Sequence, residues 1–171
     1  MRTHFLIVLA ALLGCRGNGS PKAEPAPTAA PSAPSAAAGH ALLGRYVAAL
    51  RGLASSGDPA PVIAAITAEE TEIRSLADKG AVAPELRDRT LRLLDVTRAL
   101  LAPATDDAAR QTNKARLDEL VHAVRGPNES LPAEGGLSAI APVLTEEVLN
   151  LHMLLDGSTD RDQTRARYMQ P

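Results

Sequence analysis

With 171 residues the chain has room for one domain and a few short extra segments. Its net charge of −2 and its three aromatics, Phe5, Tyr46 and Tyr168, exclude the basic surface and stacking platforms of nucleic-acid binders. Hydrophobic residues make up 45% of the chain and are mainly Ala, Leu, Val and Ile, a palette that packs closely spaced helices, whereas sheets draw more on aromatic side chains.

The amino end carries the one strong motif. Arg2 supplies a positive start, residues 5–13 (FLIVLAALL) form an unbroken apolar run, and Gly14 and Cys15 follow. Such a run is too short to span a hydrocarbon core of about 30 Å, so a cleavable leader is expected over residues 1–14. Leu12-Leu13-Gly14-Cys15 resembles the lipobox of bacterial lipoproteins. That resemblance implies cleavage before Cys15, lipidation of the Cys15 sulfur by diacylglycerol, and usually acylation of the new amino end. It covers the leader alone. The alternative is an ordinary secretory leader followed by a stray cysteine. Cys15 is the only cysteine, so it forms no internal disulfide, and acylation accounts for an otherwise unprotected thiol. Two or three acyl chains hold a protein stably on a membrane. Asp after the anchor commonly retains such proteins at the inner membrane in diderm bacteria. Arg16 in that place favours the outer membrane, facing the periplasm or the surface.

Residues 15–38 combine the lipidated cysteine with a Pro/Ala/Ser-rich stretch that has almost nothing to bury, and they read as a disordered tether. Extended at about 3.1 Å per residue, it would reach on the order of 70 Å.

From residue 39 to 171 the pattern becomes helical. A first helix is expected over 40–56, with Leu43, Tyr46, Val47, Leu50 and Leu53 on one face. Asp58-Pro59 reads as a cap and first helical position for a second helix, 59–79, which presents Val62, Ile66, Ile73 and Leu76 and stops at Gly80. Pro84 opens a third, 84–102, and Thr105-Asp106-Asp107 offers a fresh cap with acidic first-turn residues for a fourth, 106–125, ending before Gly126-Pro127. In the fifth helix Leu137, Leu144 and Leu151 repeat every seven residues, as do Ala141, Val148 and Leu155. Pro142 suggests that its regular part begins only there. Gly157 ends it, and Thr159 caps a short sixth helix to about 169. The expected fold is all-α, an antiparallel up-down bundle of four to five helices plus a short C-terminal helix.

Candidate chemistry is sparse. Glu119 and His122 have the Glu-x-x-His spacing of di-iron bundles, but no second copy exists, and both lie opposite the apolar stripe of Leu117, Leu120 and Val121. No metal ligand set, cofactor motif or catalytic set is therefore assigned. His152, beside Ala141 and Val148, reads as a core-edge histidine that could titrate when buried. Four charges fall inside apolar stripes, Glu69, Glu70, Arg89 and Glu147, and should pair with one another or line a groove. Leu149 and Met153 extend the apolar surface of the fifth helix. That helix is then either central or carries a partner patch, which the basic tail at Arg161, Arg165 and Arg167 could rim.

Together these features suggest a lipid-anchored cell-envelope protein. Its helical domain would bind another envelope macromolecule without catalysis, and its partners would be the membrane and an envelope protein, with no nucleic acid. The alternative is a bundle that binds a metal or small ligand, acting as a periplasmic sensor or stress chaperone. Ile66-Thr67-Ala68-Glu69-Glu70 weakly resembles the Leu-Thr-x-x-Gln box of small helical periplasmic chaperones and departs from it at the last position.

Overall fold

A computed structural model describes residues 33–102, 105–131 and 136–170. The leader, Cys15, Arg16 and the tether up to residue 32 lie outside the described residues. The described chain forms six helices, α1 (Ala33–Ser56), α2 (Ala60–Asp78), α3 (Pro84–Leu101), α4 (Asp107–Arg125), α5 (Gly136–Asp156) and α6 (Arg161–Tyr168). No strand occurs among the described residues.

Helix α1 begins inside the stretch expected to be tether. Ala36, Ala37 and Ala38 are the strongest of helix formers, and burial of Ser35 and Gly39 gives this turn a packing partner. A Cβ on Gly39 would lie 2.7 Å from Leu155 Cδ2, so the missing side chain lets α1 approach α5 closely. Helix α1 as described therefore begins at Ala33, earlier than residue 40 where the first helix is expected.

Local chemistry sets the other ends. The Asp58 carboxylate accepts the Ala60 N–H at 2.9 Å, and Asp106 accepts the Ala109 N–H at 2.7 Å. At α6 the cap is Asp160, which accepts the Gln163 N–H at 2.9 Å; Thr159 stands one residue too early to reach it. Gly80 (φ 66°) and Gly157 (φ 61°) close α2 and α5 in the left-handed conformation, with Ala81 N–H donating to the Leu76 carbonyl and Ser158 N–H to that of Met153. Helix α5 runs through Pro142 instead of starting there. The ring removes one intrahelical bond, and the carbonyl that loses it belongs to Ser138, an exposed residue.

Each helix packs on its neighbour in the chain, and α5 also packs against α1 and α3. It thus touches α1, α3, α4 and α6, and buries Ile140, Val143, Leu144, Val148, Leu151 and Leu155 among them. Tyr46 is the largest core side chain. Its hydroxyl lies 2.6 Å from Thr97 Oγ1, which donates its own proton to the Leu93 carbonyl at 2.9 Å. Tyr46 is therefore the donor to Thr97, and burial pushes its ionisation well above the usual tyrosine range.

Candidate functional site

The charges picked out of the apolar stripes all find partners, though mostly not each other. Arg89 grips Glu147 with two bonds, 2.9 and 2.8 Å, and joins α3 to α5. Glu69 is held by Arg45 (2.7 and 3.1 Å), and Glu70 by Arg98 (2.7 and 2.8 Å). Arg125 binds Glu146 at 3.0 and 3.2 Å between α4 and α5. Glu69 and Glu147 are buried, whereas Glu70 and Arg89 keep one edge in solvent. These bidentate clamps staple packed helices to one another and engage all four charges.

Leu149 is 0% exposed, which overturns its place in a partner patch: with helices on several sides, α5 is the central helix. Met153 is half-buried and, with Leu154 and the stem of Arg89, lines a shallow depression of about 450 Å³. Glu119 and His122 are exposed, and Glu119 lies 3.6 Å from Arg92. No three His, Cys, Asp or Glu side chains among the described residues are arranged to hold a metal.

A groove of about 560 Å³ lies between α1, α5 and α6. Leu144 and Val148 of α5 form its floor, and Val47 and Leu50 of α1 form one wall. Val47 and Leu50 belong to the stripe expected to be core, yet both stay partly exposed here. The space exists because three facing positions, Ala54, Ala141 and Ala166, are alanine where a filled interface would carry larger side chains. Arg51, Arg165, Asp162 and Gln170 stand around it. Arg51 reaches the carbonyls of Met169 and Gln170 at 3.3 and 3.5 Å. The Arg165 guanidinium makes no hydrogen bond or ion pair with a described residue. Thr145 is the one hydroxyl on the wall, and it donates to the Ala141 carbonyl.

No known protein family, curated protein or solved structure matches the chain.

Helix α6, which forms one side of the groove, is fastened by an aromatic cluster. His40 and His152 meet edge to edge, Nδ1 to Nδ1 at 2.6 Å, and the Tyr168 ring stacks on both, with centroids 4.2 and 4.3 Å away. His40 Nε2 donates to Asp156 Oδ1 at 2.7 Å, and the Tyr168 hydroxyl donates to the same oxygen at 3.3 Å. The guanidinium of Arg167 lies 5.3 Å from the Tyr168 centroid. Burial first, and then a charge on His40, lower His152 to about 4 against the opposing pull of Asp156. Sequence reasoning reached His152 but not His40, Asp156 or Tyr168, because the pair joins positions 112 residues apart and no local period carries it.

Proposed function

We propose that the chain is a lipid-anchored cell-envelope protein that works by binding, without catalysis, and that the α1–α5–α6 groove is its working site. The anchor reading rests on the lipobox resemblance around Cys15. The binding reading rests on one observation, an apolar groove floored by Leu144 and Val148 with the unpaired Arg165 at its edge.

At about 560 Å³ the groove falls in the range of small-ligand sites, roughly 300–1,000 Å³. A specific macromolecular interface buries about 800 Å² per partner, more than this groove offers. The geometry therefore favours a small apolar ligand over an envelope macromolecule. One observation keeps the macromolecular reading in play, the shallow apolar depression at Met153 and Leu154.

The test combines location and binding. Expression of the full chain in a bacterial host with labelled palmitate should give a labelled, membrane-bound protein, and Cys15→Ser should abolish the label. An environment-sensitive apolar dye should bind the full chain saturably, and Ala141→Trp, which fills the groove, should prevent it. An unlabelled wild-type cysteine sinks the anchor, and dye binding indifferent to Ala141→Trp sinks the groove.

A further inference from the structure

We infer that the groove takes a single-chain anionic amphiphile, namely a free long-chain fatty acid bound as its carboxylate; the inference rests on the binding role given to this groove above. Its lining is mainly apolar, as an acyl chain requires. Leu144 and Val148 supply an apolar floor, Val47 and Leu50 a wall, and the alanines at 54, 141 and 166 leave room between three helices. Burying an acyl chain in it gains about 0.8 kcal/mol per methylene, as for any apolar burial.

The charge at the rim selects the head. Arg165 projects from α6 beside the groove and makes no hydrogen bond or ion pair with a described residue, its charge acting on Glu146, which Arg125 already grips, while the arginines that clamp helices α1 to α5 are each bound to a carboxylate. A guanidinium presents two parallel N–H donors that match a carboxylate. Arg51, on the facing helix, holds only two backbone carbonyls at 3.3 and 3.5 Å, long contacts that an anionic head competes with readily. Asp162 is the single acid on the rim. It lies one turn before Arg165 yet makes no ion pair with it, so it repels a second negative charge and favours a singly charged head over a phosphomonoester. Neutral apolar ligands would leave Arg165 as unpaired as it is now.

The test uses the full chain mixed with phosphatidylcholine vesicles and palmitate carrying ¹³C at its carboxyl carbon. Expected is a second carboxyl resonance, distinct from that of bilayer palmitate and saturating at one per chain. Arg165 should keep this carboxyl ionised at a pH where the bilayer pool is already protonated. Arg165→Gln sits at the rim and leaves the core untouched; it should weaken palmitate about tenfold, a 1.4 kcal/mol loss, without changing binding of ¹³C-labelled hexadecanol. Ala141→Trp and Ala54→Trp, placed on different helices, should each remove both ligands, with helicity checked by circular dichroism. Equal binding of acid and alcohol, indifferent to Arg165→Gln but lost in the Trp variants, overturns the anionic class and leaves the groove as a binding site. No second resonance from either probe overturns both. Loss of the second resonance when phosphatidylglycerol vesicles replace phosphatidylcholine assigns Arg165 to lipid headgroups and overturns the free-acid ligand.

Discussion

His40 and His152 face each other Nδ1 to Nδ1 at 2.6 Å, so one proton serves both rings. With His40 Nε2–H directed at Asp156, the neutral pair places that proton on His152 Nδ1, which donates to His40. A proton on both Nδ1 atoms would set two N–H groups against each other at this distance. Tyr168 covers both rings, so any disruption loosens α6 as well.

A pH dependence follows. His152 in the folded chain titrates at about 4 instead of its ordinary 6.5, so between these values the unfolded chain binds more protons. Stability is then complete above pH 6.5 and falls as the pH drops toward 4. The loss should be on the order of 2 kcal/mol, the full shift being discounted for partial solvation. Urea midpoints at pH 7 and pH 4.5 measure it, and His152→Phe should flatten the difference. An unchanged slope in that variant would assign the effect elsewhere.

The Arg89–Glu147 clamp makes a second prediction. Arg89→Ala leaves Glu147 buried without its partner and should cost about 3 kcal/mol. The double variant Arg89→Met, Glu147→Leu replaces the pair by apolar bulk and should fall within about 1 kcal/mol of wild type. Chemical denaturation of the three chains checks the pattern. A double variant no better than Arg89→Ala would show that the pair itself supplies the stability.

Tyr46→Phe should cost about 1 kcal/mol, a single hydrogen bond, because Thr97 remains satisfied by the Leu93 carbonyl. Tyr46→Ala should cost about 3–5 kcal/mol through the cavity it leaves. A ratio near one between the two losses, read from melting curves, would contradict this placement of the ring.

Gly39→Leu should destabilise by about 2 kcal/mol, since its side chain enters the space held by Leu155. Gly39→Ala should be far milder, because the atoms it meets are the mobile tips of Leu155 and alanine gains in helix propensity. Were α1 to begin only at residue 40, both substitutions would be silent.

Much of the fold was legible locally. Asp58, Asp106, Gly80 and Gly157 mark helix ends because capping and left-handed closure are chemistry of a few adjacent residues. The start of α1 was not, since an alanine run in a Pro-rich setting becomes helical only when Gly39 finds Leu155. The same limit applies to the charges. Glu69, Glu70 and Glu147 were identifiable as interior acids, whereas Arg45 and Arg98, their partners' equals, sit at helix edges where arginine is unremarkable. The groove was the least legible part. A missing volume is a property of three helices at once, and Ala54, Ala141 and Ala166 each look like ordinary small residues in their own helix.

The groove lies along residues 47–54 of α1, while the amino end of that helix is at Ala33. At 1.5 Å per residue this separates the two by roughly 20 Å along the axis. Entry to the groove therefore faces away from the pole of the domain at which α1 begins, so a chain segment held at that pole leaves the opening unobstructed.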